Sequence, residues 1–330
     1  MTESPWIRDT PPSVTRRDLL TGSLGIAVAL GAGLPLGRPK ALVEPPESQW
    51  TICALTPDRR QIYRYDLSPK SWSLRGNGPF LELFGGGYGL AATVPAQPKA
   101  PLAEGDILLY RNRCIASHAW HPIGGAGATF AVTADTVFGL TPQRDAVFRY
   151  NGCPGPTPGS GTRSWIRVGG PAGMIYGGDW GLVATNPSTG DVFRYLNAPD
   201  KWEFIGGPGA TFAVTGESVY GLSPDQNQVY RYDGHGNSWT KVGGWARRLY
   251  GGPWGLAATS PNGDIYRYLG QPEQWQRIGG PGSMFTVAAD SIYGLSPDRD
   301  GVYRYSGSGD AWDYVGGPAY SIAACSRVFG

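Results

Sequence analysis

Apolar and polar positions come in short bursts along most of the chain. In "TFAVTGESVYGLSPDQNQVYRYDGHGNSWTKVGG" (residues 211–244) four runs stand out, "TFAVT", "SVYGL", "QVYRY" and "SWTKVGG". Each is rich in β-branched and aromatic residues and is bounded by Gly, Pro, Asp, Asn or Ser, which predicts strands joined by tight turns. The third run recurs as "QIYRY" (61–65), "ILLY" (107–110), "AVFRY" (146–150), "DVFRY" (191–195), "QVYRY" (228–232), "DIYRY" (264–268) and "GVYRY" (301–305). A tryptophan follows each copy: Trp72, Trp120, Trp165, Trp202, Trp239, Trp275 and Trp312. From Trp165 onward these stand 37, 37, 36 and 37 residues apart, while the first two intervals, 48 and 45, hold insertions such as "VPAQPKAPLAEG" and "PGPTPGSGT". Four strands per unit, repeated seven times, predict an all-β fold: a seven-bladed β-propeller of four-stranded blades over residues 50–330.

The two ends of the chain fit a closed ring. "WTICALTPDRRQIYRY" supplies the later strands of one blade and "YSIAACSRVFG" the earlier ones, so N- and C-terminal strands share the seventh blade. Cys53 and Cys325 then fall on neighbouring strands, where a disulfide would lock the ring. Cys114 and Cys153 follow the burst in neighbouring repeats and are candidates to pair with each other; the other connectivities stay open.

The repeats are of two alternating kinds. One reads "TFAVTADTVFGLTP", "TFAVTGESVYGLSP" and "MFTVAADSIYGLSP", the other "LFGGGYGLAAT", "IYGGDWGLVAT" and "LYGGPWGLAAT". In the second kind Gly-Gly and one variable residue precede Tyr88, Trp180 or Trp254. Composition supports many short elements: 51 Gly and 29 Pro argue against long helices, and 12% aromatic residues point to a core built on ring burial.

Residues 1–41 read differently. Arg16 and Arg17 precede "DLL" and a Gly-rich apolar stretch, the order of parts in a twin-arginine export signal. Residues 42–49 then form a linker. The expected destination is periplasmic or extracellular, with no membrane span in the mature form; the apolar stretch is short for a spanning helix. Removing the signal leaves 23 basic and 23 acidic residues. That balance does not suit a nucleic acid.

The run "W-x-x-[IV]-G-G-P-G", followed by "F-A-V-T", "V-Y-G-L" and "V-Y-R-Y", resembles the tectonin and tachylectin-like repeats of β-propeller lectins. The resemblance covers nearly all of residues 50–330. It implies a binding protein for glycans on cell surfaces, although similar repeats also serve protein contacts, and it transfers no ligand residues. A protein scaffold of the cell envelope and an enzyme with one site at the central channel are the alternatives.

Within this frame the repeated arginines, Arg64, Arg149, Arg194, Arg231, Arg267 and Arg304, read as structural, with acids such as Asp58, Asp225 and Asp298 as candidate partners. Leu109 replaces the arginine in one copy. The seven repeated tryptophans read as packing between blades. Tyr88, Trp180 and Trp254 are the candidate glycan platforms, because glycine lets a ligand approach the backbone closely. Only His118, His121 and His235 are present. No metal-site, phosphate-loop or nucleophile-elbow motif appears, so neither metal nor cofactor is expected.

Overall fold

The computed structural model describes residues 50–68, 70–97, 102–110, 119–152 and 165–326. The export signal with Arg16 and Arg17, the linker, and Cys114 and Cys153 lie outside the described residues. The described strands form seven four-stranded antiparallel sheets, each a simple meander. Blades 1 to 6 span residues 83–124, 129–169, 175–206, 211–243, 248–279 and 284–316. The first strand of each lies inside and the fourth outside, because every first strand also lies against the first strands of both neighbouring blades.

Blade 7 is composite. Its inner strand is Ser321–Ser326, paired with Trp50–Leu55, which continues through Gln61–Tyr65 to Trp72–Asn77. The C-terminus thus contributes one strand and the N-terminus three. Cys53 and Cys325 lie diagonally across this closing pair, since Cys53 opposes Ala323 and Cys325 opposes Thr51. The expected disulfide is not formed. The sulfurs are 3.5 Å apart, in hydrogen-bonding contact, and both residues are buried thiols. Their mutual hydrogen bond, together with burial, raises the Cys53 pKa well above the ordinary thiol value. The reactive thiolate is therefore scarce at neutral pH.

One device repeats at every blade boundary. The last tyrosine of each burst opposes the tryptophan that opens the outer strand, as Tyr232 opposes Trp239. In blade 4 the ring centroids are 5.3 Å apart, and all seven such pairs lie between 5.1 and 5.6 Å. The indole then reaches across to the preceding blade. Trp239 Nε1 donates to the Ile205 carbonyl, and Trp72, Trp120, Trp165, Trp202, Trp275 and Trp312 donate likewise to Val315, Arg75, Ile123, Val168, Val242 and Ile278.

The accepting carbonyl is available because of a β-bulge. Val192 opposes Gly206 while Phe193 opposes Phe204, so Ile205 has no residue across from it. The same slip skips Arg75, Ile123, Val168, Val242, Ile278 and Val315. A bulged residue loses its ladder partner. The glycine after it gives the indole room: a β-carbon on Gly206 would stand 2.6 Å from Trp239 Nε1, and the corresponding distances at the other six glycines are 2.5–2.8 Å. The motif W-x-x-[IV]-G therefore encodes two half-locks, one toward each neighbouring blade.

The Gly-Gly pairs act at the centre. Successive strand residues face opposite sides, so each pair addresses two neighbouring blades. A β-carbon on Gly178 would lie 2.7 Å from the Val214 carbonyl oxygen, and one on Gly177 would lie 3.0 Å from Ala131. β-Carbons added to Gly251 and Gly252 would collide with the carbonyl oxygens of Val214 and Val287, and those added to Gly85 and Gly86 with the carbonyl oxygens of Ala324 and Val132. What approaches these glycines is the backbone of the adjoining inner strands. Alternation of Gly-Gly and Val blades cannot close around an odd number. At the one junction of two non-glycine strands, blades 6 and 7, Thr286 Oγ1 accepts from the Ala324 amide at 3.1 Å, and Thr286 stands where blades 2 and 4 carry Ala131 and Ala213.

The repeated arginines bond within their own blades, but not to the acids expected from sequence. Arg64, Arg149, Arg231 and Arg304 face Asp66, Asp135, Asp233 and Asp290 at 3.7, 3.4, 3.9 and 3.1 Å, and Arg194 faces Glu203 at 2.5 Å. Arg267 instead places its guanidinium 3.7 Å from the centre of the Trp254 ring. Asp58 and Asp225 sit in the turn before the arginine strand and accept bonds from Thr56 and Ser223 hydroxyls, which hold both carboxyls below their ordinary pKa. Asp298 occupies the same turn position in blade 6. The acids of that turn are too far along the strand to reach the guanidinium.

Two outcomes follow. Gly243→Ala, whose new methyl would stand 2.6 Å from Trp275 Nε1, is expected to destabilise by about 1–3 kcal/mol in urea unfolding, whereas Gly244→Ala, with nothing within 4 Å, leaves the midpoint nearly unchanged. Slow oxidation of the folded chain is expected to yield a peptide linking Cys53 to Cys325 on mass mapping; two thiols that persist after prolonged oxidation would contradict the 3.5 Å approach of the two sulfurs.

Candidate functional site

The same recess occurs in three consecutive blades. In blade 4 it is bounded by the incoming linker Gly207, Pro208 and Gly209, the end of the second strand and its turn, Leu222 to Pro224, the third-strand residue Tyr230, and Trp239. Blade 3 builds its version from Gly169 to Ala172, Ala184 to Asn186, Phe193 and Trp202. Blade 2 uses Gly125, Ala126, Leu140, Thr141, Phe148 and Trp165. The volumes are about 320, 210 and 140 Å³. Topology explains the recurrence. In a four-stranded meander the linker into a blade and the turn between strands two and three emerge at one end, and the half-buried tryptophan leans beneath them to reach its carbonyl.

Each recess joins an aromatic wall to a polar rim. Tyr230, Phe193 or Phe148 and the neighbouring indole supply apolar area, while Ser223, Thr185 with Asn186, or Thr141 stand at the edge. Tyr230 donates its hydroxyl proton to Gln228. The chemistry offered is stacking plus neutral hydrogen bonding.

The three residues chosen from sequence occupy a different end of the ring. Tyr88, Trp180 and Trp254 are each the second residue of a two-residue turn, set by the pairs Gly86–Gly89, Gly178–Gly181 and Gly252–Gly255. Their amides donate to the next blade, at Thr133, Thr215 and Ala288, over 2.8, 3.1 and 3.1 Å. Tyr88 is only 4% exposed, which leaves no open ring face. Trp180 packs edge-on against Tyr232 at 6.0 Å, and Trp254 packs at 6.2 Å from Tyr305 with Arg267 over its face. The structure sets the three residues on alternate blades and does not unite them in one site.

These turns surround the mouth of an axial cavity of about 170 Å³, lined from every inner strand by residues that include Gly86, Val132, Gly178, Val214, Gly252 and Ala324. Asp179 is the single acid of that lining. Its Oδ1 is buried and accepts no hydrogen bond, and burial raises its carboxyl above the ordinary value of 3.8. Of the histidines, His118 lies outside the described residues. His121 is half-buried in the outer strand of blade 1, and His235 is exposed in a turn. Among the described residues no group of three His, Cys, Asp or Glu could hold a metal ion.

Comparison with solved structures places the chain beside other propellers. It is similar to Prp20p from Saccharomyces cerevisiae, at TM-score 0.52 and 10% identity over 81% of this chain and 85% of that one. The likeness is one of fold. Lower scores relate it to a GH74 xyloglucanase from Xanthomonas campestris (0.46, 15% identity, 85% of this chain and 44% of that one) and to YCF48 from Cyanidioschyzon merolae (0.43, 12%, 82% and 86%). The chain thus spans less than half the length of the xyloglucanase. No protein-family model matches the chain, and no curated protein matches it by sequence.

Asp179 gives a pH-dependent prediction. A carboxyl raised in the folded state stabilises fully below its unfolded pKa, and that contribution is lost as pH rises through the folded pKa. Asp179→Asn is therefore expected to be more stable than the parent at pH 7 and to lose that advantage as pH falls toward 3.8, read as urea midpoints across the range.

Proposed function

We propose that the chain is an exported glycan-binding propeller whose sugars seat in the recurrent recesses between blades. The observation that carries this reading is the repetition of one aromatic-walled, polar-rimmed recess in blades 2, 3 and 4. A sugar ring has an apolar face and a fringe of hydroxyls. Tyr230 with Trp239, and their counterparts, match the face, and Ser223, Thr141, Thr185 and Asn186 match the fringe. Each recess is small and shallow, so single-site affinity is weak. Sites on one rigid ring gain by avidity, on the order of 10²- to 10⁴-fold when a ligand spans them. The tectonin-like repeat grammar and the paired arginines of the N-terminal segment agree with binding outside the cytoplasm.

A protein partner in the envelope is the second reading, and Trp245 favours it. This residue is 69% exposed and stands where other linkers carry Pro171, Pro208, Pro281 or Pro318. A bare indole of that size is an interface anchor in many complexes.

A glycan panel separates the two. Multivalent glycans are expected to bind, and Phe148→Ala, Phe193→Ala and Tyr230→Ala should each weaken a monovalent sugar at one site by roughly 2- to 12-fold, the equivalent of about 0.5–1.5 kcal/mol of ring contact. The triple variant should lose array binding. Loss in Trp180→Ala with Trp254→Ala, and none in the triple variant, moves the site to the opposite end of the ring. No glycan binding, with partner capture abolished by Trp245→Ala, replaces the sugar reading by the protein one.

A further inference from the structure

We propose that the mouth of the axial cavity binds an alkylammonium group, with Asp179 as its counter-charge. The inner strand of each blade is paired along one edge only, so the other edges face the axis. Backbone groups on such an edge have no sheet partner. Glycine at Gly86, Gly178 and Gly252 removes side chains from three of the seven walls, and Val, Ile and Ala supply most of the rest. Into this narrow, largely neutral space projects one carboxylate.

The Asp179 carboxylate has no charge partner of its own among the described residues, and its buried Oδ1 accepts no hydrogen bond. A desolvated acceptor left without a donor is costly. Oδ1 lies against Gly87, where a β-carbon would stand 2.7 Å from it and 2.8 Å from Ala134 Cα, so the carboxylate is held in place by backbone of the two preceding blades. Within the cavity lining the acid is singular; Asp135, Glu217 and Asp290, in the first turns of blades 2, 4 and 6, lie outside it, and Asp135 and Asp290 face Arg149 and Arg304. Blades 1, 3 and 5 carry Gly87, Asp179 and Pro253 at this turn position, and only blade 3 is charged. A single-copy site on the axis differs in kind from the recesses repeated around the ring.

Geometry selects the class of cation. A divalent metal asks for several oxygen or nitrogen ligands, and no group of three His, Cys, Asp or Glu stands together among the described residues. A guanidinium is recognised best by two parallel bonds to both carboxylate oxygens, whereas one oxygen is the buried orphan here. An ammonium carries three divergent protons. One faces the Asp179 carboxylate and the others face carbonyls on the inward strand edges, while an alkyl stem lies along Gly, Ala and Val. The group can come from a free amine or from a lysine side chain of a partner.

The test is a ¹H–¹⁵N NMR titration of the full chain with n-butylammonium chloride, with 1-butanol as the neutral control and an acetylated peptide bearing one lysine as the third probe. Butylammonium is expected to shift the amides of Gly177, Gly178, Gly251 and Gly252 saturably, and butanol is not. Asp179→Asn, which keeps the side-chain shape, should weaken the effect by roughly tenfold or more, about 1.4 kcal/mol. Peptide binding at least as tight as the amine assigns the source to a partner's lysine, and weaker binding assigns it to a free amine. Equal shifts with butanol, unchanged affinity in Asp179→Asn, or no saturable shift with either ammonium probe would overturn the proposal.

Discussion

The fold rests on the bond between each outer-strand tryptophan and a bulge carbonyl of the preceding blade. Neither group would be satisfied alone. The bulge takes the carbonyl of Ile205 or Val242 out of its own ladder, and burial of the indole beside tyrosine takes Nε1 away from water. Pairing them across the boundary answers both costs, since an unmet buried polar group is worth about 1–3 kcal/mol. The following glycine is part of the same constraint, because only its missing side chain lets the indole arrive. Seven such bonds run in one rotational sense. Each blade gives one indole backward and one carbonyl forward, so the ring is uniform even where the blades differ.

The centre obeys a second constraint, imposed by crowding. Seven inner strands converge on one axis, and two strands with ordinary side chains cannot both come close. Glycine pairs in blades 1, 3 and 5 yield to the valines of blades 2, 4 and 6. The composite blade breaks the alternation and meets its neighbours with Ala323 and Ala324. The chain ends therefore close the ring at the place where its pattern cannot be regular. The Cys53 and Cys325 thiols lie in that same blade, against the core of blade 1.

Much of this was legible because it repeats. The period, the four runs per unit and the completion of one blade by both termini are all visible in the spacing of Tyr-Arg-Tyr and Trp. The role of Gly-Gly was legible only in part: sequence signals a close approach to backbone, but not that the visitor is Val214 or Ala324 rather than a ligand. Trp180 and Trp254 inherited that ambiguity, and their contacts with Tyr232 and Tyr305 come from blades whose proximity the ring alone creates. The recesses escaped notice for a different reason. Their walls come from a linker, a turn and two strands, and the second residue of each burst, Phe148, Phe193 or Tyr230, looks like one more strand aromatic. Its signal was its half-buried position beside a polar turn, which strand periodicity does not encode. Asp179 was hidden as the variable residue between two constant ones, and only the axis gives it meaning.

Hydrogen exchange of the indole protons tests the central claim most directly. The chain has 12 tryptophans, each with one Nε1 proton visible by NMR. The account predicts that the signals of Trp72, Trp120, Trp165, Trp202, Trp239, Trp275 and Trp312 exchange slowly and together, with a free energy near that of global unfolding, while exposed Trp245 exchanges at once. Seven indoles that exchange as fast as Trp245, or that open one by one at low free energy, would contradict it.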